Sequence, residues 1–170
     1  MVRLANLQDI DELIRLLRQI ADWHHNGRPD LFKLGGQKYS HEELSDILQN
    51  KNRPIFVAEA TKMIEGLDDS VKVADSAGLV GYCFCEIIAA AEHPVLYPHV
   101  TLYIDDFCVD EKCRNQGIGK KIFAHVREYA QQIGAYNIDL NVWAFNEGAV
   151  RFYEDCGFSI QRYRMELRDF

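Results

Sequence analysis

One segment, Arg114-Asn115-Gln116-Gly117-Ile118-Gly119-Lys120, combines the residue types of an anion-binding turn. Glycine lets the backbone approach a ligand closely, and the first turn of a helix offers unpaired N–H groups at the positive end of its dipole. Arg114 and Lys120 add positive charge. The segment therefore suits a pyrophosphate, although a tight strand-to-helix turn that needs small residues explains the two glycines about as well. It is neither a Walker loop nor the three-glycine dinucleotide fingerprint.

Two adjacent carboxylates, Asp105 and Asp106, stand in the otherwise apolar run that precedes this segment, residues 100–109. Such a run predicts a buried central strand, and the two charges indicate a functional end to it. Because successive strand residues point to opposite faces, only one of the two carboxylates is expected to face a cleft.

The elements that must position these residues follow from hydrophobic periodicity and from cap and turn residues. The patterns predict helices over 8–21, 40–48, 117–133 and 146–156. They predict strands over 2–4, 55–58, 79–88, 100–109, 138–143 and 158–167. Residues 61–78 are polar, with a short apolar piece at 71–74, and suit an irregular hairpin or a longer loop. Strands and helices that alternate in this way favour an α/β domain.

Composition limits the class of protein. The 170 residues are 48% hydrophobic, which suits a single domain over 1–170. Basic residues number 19 and acidic residues 26, a net charge of −7 that disfavours nucleic acid as a partner.

The five cysteines form no C-x-x-C pair and read as reduced thiols, with no metal site expected. No apolar run suits a membrane span or a secretory signal, so a cytoplasmic protein is expected.

Three segments in order resemble the GNAT superfamily of acyl-CoA-dependent N-acyltransferases: FCVDEKCRNQGIGKKI, DLNVWAFN and NEGAVRFYEDCGF. The resemblance covers about residues 100–160, and upstream of it only the order of elements agrees. It implies one α/β (α+β) domain with a central mixed, mostly antiparallel twisted sheet of about six to seven strands. About four helices would flank the sheet, which would be splayed at the cofactor site.

The resemblance also implies that acetyl-CoA is the acyl donor and coenzyme A the product. Phe107, Cys108 and Val109 would pair their backbone with the pantetheine arm, as an added strand does. Arg114, Asn115, Gln116, Gly117, Ile118, Gly119 and Lys120 would hold the pyrophosphate. Asn146 resembles an asparagine that contacts the cofactor arm, and a helix N-cap role is equally compatible.

Catalytic roles are carried over in the same way. Tyr153 resembles the tyrosine beside the CoA sulfur, where a phenol can protonate the leaving thiolate; the alternative is an aromatic core residue beside Phe152 and Phe158. An amine must lose a proton before it attacks, so a base is needed. Asp105 matches the position of a catalytic glutamate in polyamine-acetylating members, and Asp106 is the second candidate.

The acceptor site is expected along the segment that follows the first helix. Its candidate residues are Trp23, His24, His25, Asp30, Phe32, Tyr82 and Trp143. The predicted function is direct transfer of acetyl to a primary amine of a small molecule, protein or peptide in a ternary complex. The alternative is a catalytically silent acyl-CoA sensor or scaffold of the same fold. A homodimer is also expected.

Overall fold

A computed structural model describes residues 1–60, 78–90, 94–95 and 97–168. Its five strands form one sheet in the order β1-β2-β3-β4-β5. They are β1 Val2–Leu4, β2 Ile55–Glu59, β3 Leu79–Ala89, β4 Val100–Val109 and β5 Asn137–Leu140. The first four strands pair antiparallel and β5 pairs parallel to β4, which confirms a mixed, mostly antiparallel sheet in an α/β domain.

Four α-helices accompany the sheet in the described ranges. They are α1 Ile10–Gly27, α2 His41–Gln49, α3 Ile118–Gln132 and α4 Glu147–Asp155. The start of α2 is fixed by a capping box, since Ser40 and Glu43 each accept the other's backbone N–H with their side chains. Helix α1 continues to Gly27, six residues beyond its predicted end, because no residue of the His-containing segment breaks it before Pro29. In the part of the chain that is described, no helix is long and apolar enough to span a bilayer.

Each face of the sheet carries its own hydrophobic core. On one face α1 and α2 pack against the sheet, with Leu17, Leu44 and Phe84 fully or almost fully buried. On the other face α3 packs through Ile122 and Val126. Side chains along β3 and β4 alternate between the two faces, so the strand register decides which core each side chain joins.

The C-terminal segment departs from its prediction. Residues 162–167 alternate charged and apolar side chains, but 158–168 form no strand. Arg28 Nη1 lies 2.8 Å from Glu166 and Arg168 Nη1 lies 2.8 Å from Asp30, so the segment lies beside the end of α1. A strand needs a partner edge as well as a pattern, and this segment finds none among the described residues. The described residues therefore contain five strands, not the six to seven expected; residues 61–77 of the predicted hairpin or loop lie outside them.

The sheet opens between its last two strands, as expected. Strand β5 ends at Leu140, short of the predicted 143, and pairs only with Thr101, Leu102, Tyr103 and Ile104 of β4. On that side, the second half of β4 from Asp105 to Val109 has no strand partner in the described chain. The unpaired half begins at the carboxylate pair and ends next to the glycine segment.

Candidate active site

A β-bulge in β4 brings both carboxylates to one face. Asp106 pairs with Phe84 and Ile104 with Cys85, which leaves Asp105 as an extra residue without a partner in β3. A bulge interrupts the strict alternation of side chains. Lys38 Nζ lies 3.1 Å from Asp105 Oδ2 and 2.9 Å from Asp106 Oδ2. The prediction that only one carboxylate faces the cleft was therefore wrong.

Hydroxyl groups and cations surround this carboxylate pair. Asp105 Oδ2 accepts a hydrogen bond from Tyr39 Oη at 3.0 Å, and Arg53 Nη2 lies 3.9 Å from the same oxygen. Burial acts to lower the pKa of Lys38, but Asp106 and Asp105 outweigh it and raise that pKa well above its ordinary value. Lys38 is therefore an ammonium at neutral pH.

Tyr82 lies beneath the pair instead of lining the acceptor site. Its side chain is fully buried, and its hydroxyl donates to Asp106 Oδ1 at 3.0 Å. Burial, followed by the charge of Asp106, raises the pKa of Tyr82 well above its usual value, so the phenol keeps its proton. The prediction of a substrate contact is corrected to a supporting hydrogen bond, because a residue with no exposed surface cannot touch an acceptor.

Tyr82→Phe removes this hydrogen bond while preserving the ring. We expect the free energy of unfolding to fall by about 1 kcal/mol, the net value of a typical buried hydrogen bond. Urea denaturation measures the change. Tyr136→Phe is the matched control because Tyr136 is 80% exposed. Equal stability of Tyr82→Phe and the unaltered protein would contradict a supporting role.

Tyr153 stands on α4 among three aromatic rings. Ring centroids of Phe107, Phe152 and Phe158 lie 6.3, 5.2 and 5.5 Å from its own. Its hydroxyl has no hydrogen-bond partner among the described residues. Burial, with smaller contributions from Cys83 and Asp106, raises the pKa of Tyr153 above its usual value. The phenol therefore carries a proton at neutral pH and donates it to no acceptor in the part of the chain that is described.

The glycine segment contributes a set of backbone donors where α3 begins. Asn115 and Gly117 have φ angles of 61° and 75°. Within the described chain, no acceptor receives the seven N–H groups from Arg114 through Lys120. A Cβ at position 117 would meet no atom within 4 Å, whereas one at 119 would lie 3.0 Å from Phe152 and 3.8 Å from Phe107. Gly119 thus permits close packing of α4, and the donors remain available to an anion.

These donors adjoin the unpaired half of β4. The N–H of Asp110 donates to Val80 at 2.9 Å, so by alternation the N–H groups of Val109 and Phe107 face away from β3. Arg114 Nε donates to Val109 O at 3.2 Å, and its guanidinium lies 5.2 Å from the ring of Trp23. Trp23 and Arg114 also line a groove of about 780 Å³ along α1. The predicted donor site and strand edge are therefore contiguous.

An aromatic cluster joins the end of α1 to the segment after β5. His24 stacks on Phe32 at 5.0 Å, Phe32 meets Trp143 edge-on at 5.3 Å, and Trp143 stacks on Phe145 at 6.0 Å. Burial lowers the pKa of His24 below its ordinary value despite the opposing charge of Asp106. The acceptor candidates His24, Phe32 and Trp143 are thus brought together.

Other candidates have local partners. Asp30 forms ion pairs with Arg28 and Arg168, and His25 Nδ1 contacts Phe32 O at 2.7 Å. Asn146 Oδ1 accepts the N–H of Ala149 at 3.3 Å, so its N-cap role is present. The Asn146 contact with the cofactor arm stays a prediction.

Sequence reasoning missed Lys38, Tyr39, Arg53 and Phe145. The first three lie before α2 or before β2, where side chains give no periodic signal. Phe145 packs where α1 ends, since a Cβ at Gly27 would overlap its ring, but this contact exists only in the folded chain. The sequence signal that could have found Phe145 is its position two residues after the acceptor candidate Trp143.

Comparisons with known proteins agree with this geometry. The profile of the Acetyltransferase (GNAT) family matches residues 17–158. An uncharacterized N-acetyltransferase, YdgE of Bacillus subtilis, is 31% identical over 70 residues, a match that covers 41% of this chain and 45% of that protein.

Solved structures extend the likeness to the whole chain. A tetramutant of the BH1408 protein of Bacillus halodurans is 28% identical, with a TM-score of 0.85 and 99% of both chains covered. The aminoglycoside N-acetyltransferase AAC(6')-Iy in complex with CoA has a TM-score of 0.65 at 16% identity and covers 100% of this chain and 99% of its own. At that identity the second likeness shows the fold alone.

Proposed function

Because the chain belongs to the acetyltransferase (GNAT) family, we propose that it transfers acetyl from acetyl-CoA to a primary amine of a small molecule or peptide. The observation that carries this proposal is the run of seven backbone N–H groups without an acceptor in the described chain, from Arg114 to Lys120, beside the unpaired half of β4. Backbone N–H groups at the start of a helix bind a diphosphate, and an open strand edge can pair with the extended pantetheine arm of coenzyme A. Acetyl-CoA supplies the activated thioester.

Different residues of the chain perform the separate steps of the proposed reaction. Asp105, with Asp106 as the second candidate, takes the proton that the acceptor ammonium must lose. The N–H of Val109 donates to the acyl oxygen, where negative charge develops. As the N–C bond forms and the C–S bond breaks, Tyr153 gives its proton to the leaving sulfur, and the second proton that the amine nitrogen loses restores the phenol through solvent. Both substrates bind together, and no covalent enzyme intermediate is formed.

Calorimetric titration tests the donor site. We expect coenzyme A to bind at least about 100-fold more tightly than pantetheine, which lacks the diphosphate and the 3'-phosphoadenosine, since charge-assisted hydrogen bonds to phosphate are the strongest contacts available to this ligand. Lys120→Gln should weaken binding of coenzyme A several-fold, whereas Lys51→Gln, in the turn before β2, should not change it. Absence of any uptake of coenzyme A at saturating concentration would overturn the proposal.

A thiol-release assay tests the activity. Acetyl-CoA is offered with a panel of polyamines, amino sugars, amino acids and peptides, and with an aminoglycoside because structural neighbours of that activity share the fold. Release of thiol with one class identifies the acceptor. Binding of coenzyme A without thiol release across the panel would favour the silent sensor.

The homodimer and the cytoplasmic location expected from the sequence stay predictions.

A further inference from the structure

Lys38 fills the space directly against the carboxylate pair. It belongs to residues 28–40, which connect α1 to α2, and its ammonium bonds one oxygen of each carboxylate. The ammonium also lies 5.4 Å from the centre of the Tyr39 ring, within range of a cation–π contact. Its side chain is still 35% exposed, so solvent reaches it. An ammonium on a methylene chain thus already occupies the place where the proposed base must meet an acceptor.

The charges around the pair are balanced without any acceptor. Asp105 and Asp106 contribute two negative charges, and Lys38 and Arg53 two positive ones. Of the carboxylate oxygens, Asp106 Oδ1 is bonded to the buried Tyr82. A second ammonium at this position would be repelled by Lys38 across a short distance in a half-buried site. An acceptor ammonium can therefore reach both carboxylates only after Lys38 leaves.

We infer that the acceptor's ammonium displaces Lys38 from Asp105 and Asp106, and that the site selects a primary amine carried on an unbranched methylene chain. This inference rests on the proposed function. A primary ammonium has three N–H donors, as lysine does, and can reproduce both bonds to carboxylate; a quaternary ammonium has none. The charges of Asp106 and Lys38 act on His24, which stacks on Phe32, so the aromatic cluster lies near the carboxylate pair and offers apolar surface to the rest of such an acceptor.

The competing interpretation is a permanent ion pair that only holds the two carboxylates in place. The two interpretations predict opposite effects of removing the ammonium. If Lys38 occupies the site about nine-tenths of the time, only about one-tenth of the molecules can bind an acceptor. Removal of the ammonium makes all of them able to bind, which lowers the apparent Kd about tenfold. If Lys38 is a permanent support, its removal leaves two adjacent carboxylates unsupported and does not improve binding.

Calorimetry with n-butylamine, at low salt and without coenzyme A, distinguishes them. We expect Lys38→Met to bind butylammonium about tenfold more tightly than the unaltered chain. Lys33→Met makes the same change on an exposed lysine of the same connection and should bind like the unaltered chain. Butyltrimethylammonium should bind to none of them. Equal or weaker butylammonium binding by Lys38→Met, or no binding by any of the proteins, overturns the inference.

A second measurement uses the unaltered protein and does not depend on the folding of a variant. The ammonium signal of Lys38 in a ¹⁵N-lysine NMR spectrum, assigned by its loss in Lys38→Arg, should move towards the signals of exposed lysines as butylamine is added. A signal that stays in place at saturating butylamine overturns the inference. Coenzyme A is titrated separately into the same samples, and its failure to bind would overturn the proposed function without altering the amine result.

Discussion

Replacing Tyr153 by phenylalanine is expected to lower kcat about 100-fold, the lower end of what a positioned general acid contributes. The phenol holds its proton at neutral pH because burial raises its pKa, and its hydroxyl has no acceptor in the described chain. The ring packing against Phe107, Phe152 and Phe158 is kept by phenylalanine. The Kd of acetyl-CoA, measured by calorimetry, should therefore hardly change while steady-state turnover falls.

The control for this change is Tyr163→Phe, which removes the same atom from a residue that is 80% exposed. It should leave kcat as it is. Equal turnover of Tyr153→Phe and the unaltered protein would remove Tyr153 from the mechanism and leave it an aromatic packing residue. A parallel loss of acetyl-CoA binding would instead assign its hydroxyl to cofactor binding.

Asp105→Asn should lower kcat/KM about 100-fold and abolish the acid limb of the pH–rate profile. Asparagine keeps the size and one acceptor oxygen of aspartate but cannot take a proton from an ammonium. The measurement is kcat/KM for the acceptor across pH, at saturating acetyl-CoA. Asp46→Asn, an exposed site on α2, should leave the profile unaltered.

Asp106→Asn must be measured beside it because the bulge places both carboxylates on Lys38. An unchanged profile in Asp105→Asn would reject Asp105 as the base. Loss of the acid limb in Asp106→Asn alone would transfer the role to Asp106. Asp106 stays the second candidate because one of its oxygens, Oδ1, already accepts the hydrogen bond of the buried Tyr82.

Much of the fold could be predicted from local patterns. The spacing of apolar residues in α3 and the reciprocal cap of α2 are properties of short segments, and the structure contains both. The prediction of a strand at 158–167 was wrong because strand formation also depends on distant residues. Its alternation is a local property, but pairing depends on an available edge elsewhere in the molecule.

The site was less predictable because its geometry depends on register. Adjacent carboxylates in a strand were expected on opposite faces, and only the pairing of β3 with β4 shows that Asp105 is an extra residue. Lys38 carried no signal at all, since an isolated lysine in a polar connection resembles any solvated one. Its contact with residues 67 and 68 positions away arises only from the folded arrangement.

The bulge at Asp105 also bears on how such a site could change its acceptor. An unpaired strand residue contributes nothing to the ladder with β3, so its replacement leaves the pairing of Ile104 and Asp106 intact. Asp106, by contrast, is tied to its cross-strand neighbour and to a core phenol. The inserted position can therefore be replaced with less disturbance of the sheet than Asp106, so a longer carboxylate there would shift the proposed base relative to the amine while the strands on either side stay in place.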